Sequence, residues 1–243
     1  MTPQQIQQQL RQHLESLRAS GVDWLPMSNE RIAFEMAVPT PEPLDPLEAT
    51  RIELETLADT VSKCERCSSL ASTRTQTVFG VGKIEPELCF VGEAPGADED
   101  AQGEPFVGAA GQLLNRIISA CGFRREEIYI CNTLKCRPPM NRTPKADEVD
   151  NCREFFEKQI ELVNPRYICA LGGTAAKHLL NTTLSVGRLR GQVLDYHGIP
   201  VVVTYHPAYL LPHRAETQQE LRARKRKVWD DMKFLLNQMG RTV

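Results

Sequence analysis

The sequence predicts an α/β protein in which a parallel sheet is covered by helices on both faces, preceded by an N-terminal helical arm and a proline-rich linker. Three observations carry this. Short apolar bursts alternate with helical patterns over the last 190 or so residues, and such alternation builds right-handed crossover units around a parallel sheet. The 243 residues are 41% hydrophobic and 25% charged, the balance of a folded globular chain. Pro39, Pro41, Pro43 and Pro46 crowd into one segment and separate this body from what precedes it.

Ile6, Leu10, Leu14 and Leu17 fall on one face of a helix over 3–20, since spacings of four, four and three follow the helical period. The prolines fix φ and remove N–H donors, which leaves an extended linker. The arm and linker therefore occupy 1–50, and the compact domain, 51–243, begins near Ala49. Strands are expected at 87–92, 128–132, 167–171 and 199–205, each a short apolar run bounded by turn residues. Helices are expected at 111–121, 145–163, 174–180 and from about 216 to 238. In open α/β sheets the functional site lies beyond the carboxyl ends of the strands. The segments found there read GEAPG, NTLKC, GGTAA and YHPAY.

No run approaches the ~18 apolar residues of a membrane span, and the glutamine-rich start lacks the apolar centre of a signal peptide. The expected location is the cytoplasm, with no membrane partner. Eight cysteines in a reducing compartment are then buried thiols or metal ligands rather than disulfides. The net charge of −2 argues against a nucleic-acid partner only until it is divided along the chain: residues 1–60 carry −6 and residues 61–243 carry +4. Arg222, Arg224, Lys225, Arg226 and Lys227 form a basic run. It reads equally as a phosphate patch or a solvated helix face.

Cys64 and Cys67 form a C-x2-C pair, a spacing that presents two thiolates to one centre, and Cys136 and Cys152 are candidates for two further ligands. Zinc and iron–sulfur are both open on this evidence. Cys89, Cys131 and Cys169 sit in strand centres and Cys121 at a helix end, where a thiol packs as a small apolar group. After the first strand, Gly92 and Gly96 permit tight turning around Pro95 and hold Glu93 at the sheet edge. The loop is neither a Walker A motif nor a dinucleotide fingerprint. Phe106 lies in it without a strand or helix period to bury it, as a stacking platform or a core residue. Asn132 ends the second strand with an amide that pairs a donor with an acceptor. His206 follows the last strand, and Pro207 biases it toward an extended conformation.

VGEAPG, PFVGAAGQLLN, NTLKCRPPMNRTP and HPAYLL, in this order with the C-x2-C pair and Cys152, resemble a family-four uracil-DNA glycosylase over about residues 55–240. The resemblance implies a three-layer α/β/α sandwich around a central parallel four-stranded sheet. It implies a [4Fe–4S] cluster on Cys64, Cys67, Cys136 and Cys152, and uracil-containing DNA as substrate. Uracil would be flipped out of the helix, stacked by Phe106 and read by Asn132. Glu93 would favour the cationic sugar and orient water, and His206 would bond to the departing anion. Gly92, Glu99 and Asn141 are expected in the same pocket, Glu99 either supporting His206 or excluding the thymine methyl. Arg142 and the turn Pro207–Leu211 are expected at DNA, with Tyr209 or Leu210 as a wedge between bases. Glu93 sets the chain apart from a related group with a non-acidic residue there. Asn141 stands where a second group carries a histidine that traps the product, so turnover is expected. An alternative reading is a nucleic-acid-binding subunit of a repair or polymerase complex that kept the fold and lost the chemistry. The arm lies outside the resemblance, as a disordered tether or as a docking helix for a replication or repair protein.

Overall fold

A computed structural model describes residues 2–22 and 45–241. They fall in two units divided between Pro43 and Leu44. The first holds α1 (Pro3–Ala19), entered through a capping box in which Thr2 and Gln5 exchange side-chain-to-backbone hydrogen bonds. Ile6, Leu10 and Leu14 on its apolar stripe are exposed. Pro39, Pro41 and Pro43 of the expected linker lie outside the described residues. Pro46 does not belong to a linker: it opens α2 (Pro46–Ser62), with the Asp45 carboxylate accepting from the Leu47 N–H. Proline is tolerated in the first helical turn, where its missing N–H has no partner to lose. The helix runs across the domain boundary expected at residue 50.

The second unit continues through α3 (Ser68–Ala71), β1 (Val81–Gly82), β2 (Cys89–Gly92), α4 (Ala97–Gln102), α5 (Ala109–Ala120), β3 (Tyr129–Asn132) and α6 (Ala146–Val163). It then runs through β4 (Ile168–Leu171), α7 (Gly173–Leu180), α8 (Val186–Leu189), β5 (Leu194–Tyr196), β6 (Ile199–Thr204) and α9 (Gln218–Gln238). The four expected strands form the parallel centre, β3-β2-β4-β6. The sheet is wider than expected, however. β1 and β5 add antiparallel edges, giving six strands in the order β1-β3-β2-β4-β6-β5. Both are too short to show a period. β5 reaches β6 through His197-Gly198, two residues at positive φ, as a two-residue hairpin turn requires.

Alternation along the strands makes two cores. Cys89, Val91, Tyr129 and Cys131 face α2, α6 and α7 through Leu54, Phe156, Ile160 and Leu179. Phe90 and Ile130 face α5 and α9 through Leu114, Ile118, Val228, Met232 and Leu235. This is the three-layer arrangement. Cys89, Cys121, Cys131 and Cys169 are buried within it as packing residues. No helix among the described residues is long and apolar enough to cross a membrane.

Candidate active site

β2 and β3 run parallel, and their last residues, Gly92 and Asn132, pair in register. The ladder persists past the strands: Thr133 donates through its N–H to Gly92 O at 3.0 Å and through Oγ1 to Glu93 O at 2.8 Å. Leu134 N–H adds a third bond to Glu93 O. Glu93 is thereby pinned at the sheet edge, on the wall of a cavity of about 680 Å³ that Glu99, Phe106, Asn132, Asn141, Arg142, His206 and Tyr209 also line. The Glu93 carboxylate takes no hydrogen bond from the described residues.

Asn132 is 2% exposed, and its Oδ1 is buried without a partner among the described residues. An orphaned acceptor in a cavity wall is costly in place and marks where a ligand donor belongs. A side chain on Gly92 would fill this place, since its Cβ would lie 2.3 Å from Asn132 Oδ1 and 2.6 Å from the Phe106 ring. Phe106 adopts φ +55°, and its carbonyl passes where any Cβ on Gly111 would stand, 1.9 Å away. Its ring is buried, lines the cavity and is stacked on His206, with centroids 5.5 Å apart.

Glu99 holds this loop. Its Oε1 accepts from the N–H groups of Val107 and Gly108 at 2.9 and 3.0 Å, and its Oε2 from Gly96 N–H at 3.1 Å. The carboxylate thus ties the start of α4 to the residue after Phe106. It also lies close enough to His206 to favour the imidazolium, but burial dominates and pushes the His206 pKa down to about 4. His206 Nδ1 accepts the Ala208 N–H at 3.1 Å. The neutral ring therefore carries its proton on Nε2.

Asn141, at φ +54°, accepts through Oδ1 from Arg137 Nε at 2.8 Å. Arg142 lines the cavity, but its guanidinium is paired with both oxygens of the buried Glu148, and this holds the Glu148 carboxyl below its ordinary range. Beyond His206 the chain makes a tight turn that separates the two expected wedges. Leu210 is 3% exposed and packs with Leu114 and Met232, while Pro207 is buried as well. Leu210 is therefore not a wedge; the turn commits it to the core. Tyr209 is the exposed ring, sandwiched between Tyr205 at 4.9 Å and the Arg224 guanidinium at 4.0 Å. Arg224 also donates to the carbonyls of Tyr209 and Arg214. It is thus a brace of the turn, while Arg222, Lys225, Arg226 and Lys227 are exposed.

Cys64, Cys67, Cys136 and Cys152 come together with Val61, Leu70, Leu134 and Phe155 in one apolar cluster. Arg74 donates to Cys136 Sγ at 3.0 Å and to Cys64 O at 2.8 Å, and Asn151 donates to Cys67 Sγ at 3.6 Å. Burial raises the Cys152 thiol to about 11. Among the described residues no three His, Cys, Asp or Glu side chains are grouped as a single-ion site. Cys136 is buried although its loop reads as polar: it packs among Val61, Leu70, Leu134 and Phe155, and Arg74 donates to its sulfur. Sequence reasoning missed Arg74, Glu148 and Lys135, each a polar residue without a distinguishing spacing, and placed Arg224 only in the basic run.

Residues 79–233 match the Uracil DNA glycosylase superfamily. The type-4 uracil-DNA glycosylase of Thermotoga maritima is 45% identical over 169 residues, 68% of this chain and 88% of the relative. That of Archaeoglobus fulgidus is 40% identical over 185 residues, 72% of this chain and 91% of the relative. That of Saccharolobus solfataricus is 40% identical over 181 residues, 70% and 83% of the two chains. With the matched segment spanning every strand of the parallel sheet and the whole cavity, the chain belongs to the uracil-DNA glycosylase superfamily and groups with its type-4 members.

Proposed function

We propose that this protein excises uracil from DNA, hydrolysing the N-glycosidic bond and leaving an abasic site. The observation that carries the reading is the Asn132 Oδ1 in the wall of the cavity, beside Phe106 and His206 and without a partner among the described residues. Uracil presents N3–H as a donor and O4 as an acceptor, so the amide matches it through Oδ1 and Nδ2. Cytosine exchanges both and meets donor with donor. A nucleotide must leave the stack to enter such a cavity, at a cost of a few kcal/mol, and the Phe106 ring offers replacement stacking.

When the bond from C1′ to N1 breaks, its electron pair leaves with the base. The base becomes an anion and the sugar a cation. His206 Nε2–H is assigned to the anion's O2, a neutral donor held in one tautomer by Ala208. Glu93 is assigned to the sugar, where its carboxylate favours the cation and orients water. The water's oxygen bonds to C1′, and its proton balances the charge of the departing uracil. Donors and charges already in place before the bond breaks are commonly the largest catalytic contribution. Glu99 acts at one remove, through the backbone it ties to Phe106. Tyr209 is assigned to the DNA base step beside the flipped nucleotide.

Cys64, Cys67, Cys136 and Cys152 would hold a [4Fe–4S] cluster. Four sulfur donors in an apolar shell, two of them receiving N–H bonds, suit such a group. When bound it would join the segment between α2 and α3, the loop after β3 and α6. Incubation of the purified protein with oligonucleotides carrying U:G, U:A, single-stranded U and T:G tests the function. Alkali-labile sites at uracil alone are expected. Loss of no base from any of them, or equal cleavage of T:G and U:G, overturns it.

A further inference from the structure

Three arginines line the cavity: Arg142, Arg214 and Arg224. A guanidinium keeps its charge in a protein and carries five N–H donors in a planar fork, so each must find acceptors or stay in water. Two of the three are spent within the fold. Arg142 is paired with both oxygens of Glu148, and Arg224 with Glu220 as well as with the carbonyls of Tyr209 and Arg214. Arg214 differs from both. Among the described residues its guanidinium has neither a carboxylate within ion-pair distance nor a hydrogen-bond acceptor. Its backbone, by contrast, is held. Pro212–Arg214 form a short 3₁₀ turn in which the Arg214 N–H donates to Leu211 O at 2.9 Å, and the Arg214 carbonyl accepts from Arg224 at 2.7 Å. Arg224 also holds the Tyr209 carbonyl, at 3.0 Å, and so ties Arg214 to the turn that carries the exposed ring.

The charges of the cavity are thereby sorted. Glu99 is occupied by three backbone N–H groups. Glu93 and Arg214 line the same cavity, one carboxylate and one guanidinium, and are not paired with each other. A free uracil base is neutral and meets neither charge. A nucleotide within DNA meets both, since its sugar turns cationic as the bond breaks and an anionic phosphodiester lies on each side of it. We propose that Arg214 binds a phosphodiester flanking the flipped nucleotide. The DNA contact expected at Arg142 then falls to Arg214, because Glu148 occupies the first guanidinium and nothing among the described residues occupies the second. A guanidinium can grip two phosphate oxygens at once, which holds the backbone in its extruded form and offsets part of the cost of flipping. The proposal rests on reading the cavity as a uracil-DNA site.

The test uses the full chain and single-stranded oligonucleotides with one deoxyuridine, in which the phosphate on its 5′ or its 3′ side is replaced by a neutral methylphosphonate. Uracil release is measured with wild type and Arg214→Gln. In the wild type one of the two replacements is expected to lower kcat/KM about tenfold, as loss of a charge-assisted contact does. Arg214→Gln should lower it by about as much on the unmodified strand and lose no more than about twofold further on the modified one. Its slope of log kcat/KM against log salt should be flatter by about 0.7, the share of one phosphate on a single strand. The inhibition constant of free uracil, which has no phosphate, should stay within about twofold of wild type. Uracil released from no strand by the wild type overturns the uracil reading itself. With release observed, no penalty at either phosphate in the wild type, or equal penalties in the two proteins, overturns the role of Arg214 alone. A tenfold weaker inhibition by free uracil in Arg214→Gln also overturns it, since the residue would then shape the base pocket.

Discussion

Gly92 and Asn132 are register partners at the ends of adjacent parallel strands, and a Cβ on Gly92 would lie 2.3 Å from Asn132 Oδ1. The same Cβ would meet the Phe106 ring at 2.6 Å. Gly92→Ala must therefore displace the amide, the ring or both. Misplacement by about 1 Å costs on the order of a hundredfold in rate. A fall of about that size in kcat/KM on single-stranded uracil substrate is expected, with the overpacking lowering stability by about 1–3 kcal/mol. Wild-type kinetics in Gly92→Ala would show that neither group touches the base.

Asn132→Asp exchanges an amide that both donates and accepts for a carboxylate that only accepts. It loses the donor for uracil O4 and gains an acceptor for the exocyclic amine of cytosine. Uracil excision should fall at least about a hundredfold, as a site left with mismatched buried polar groups rejects its ligand strongly. The ratio of cytosine to uracil release should rise. Parallel assays on otherwise identical U- and C-containing single strands measure both. An unchanged ratio would remove Asn132 from base selection.

Much of this site was legible because strand ends are legible. Asn132 and His206 each follow a short apolar run, and the topology brings such positions to one edge. Glu93 and Phe106 follow from the glycines around them. What the sequence hides is direction and pairing. Tyr209 and Leu210 are adjacent and both apolar in character, and only the tight turn sends one outward and the other into the core. Arg142 reads as a DNA contact until Glu148, six residues on in the next helix, claims it. Lys135 reads as a solvated loop residue because nothing local announces the Phe79 and Gln159 acceptors, which lie 56 and 24 residues away. The edge strands β1 and β5 are missed for a simpler reason: two and three residues carry no period.

The turn after His206 separates two variants. Tyr209→Ala removes an exposed ring held between Tyr205 and Arg224. It should cost at most about 1 kcal/mol of stability. Its effect belongs to duplex opening, so activity on U:A duplex should fall about tenfold and on single strands much less. Leu210→Ala empties a core position beside Leu114 and Met232. It should cost about 2–5 kcal/mol and, assayed well below its Tm, leave the duplex to single-strand ratio near wild type. Denaturant melts with paired kinetics check both, and a duplex-selective loss in Leu210→Ala would return the wedge to it.

Two histidines make acid stability predictable in sign. His206 and His178 are both held down to about 4 from 6.5, in each case chiefly by burial, and both His178 nitrogens lack partners among the described residues. Below pH 6.5 the unfolded chain binds protons at these positions that the folded chain refuses until about pH 4. Stability is therefore untouched by either group above pH 6.5, and it falls as pH drops from there toward 4. Each contributes a loss of about 3 kcal/mol at most, at 1.36 kcal/mol per unit. His178→Leu removes one of the two and deletes a buried, unpaired polar ring. It should raise stability at neutral pH by about 1 kcal/mol and flatten the acid slope by about half, while kcat/KM stays near wild type because His178 lies outside the cavity. With the neutral His206 as the proposed donor to the leaving base, the acid limb of kcat/KM belonging to it should appear near 4 and not near 6.5. Denaturant melts from pH 4 to 8, with a pH–rate profile over the same range, measure each; a limb at 6.5 would mean that His206 titrates as an exposed ring.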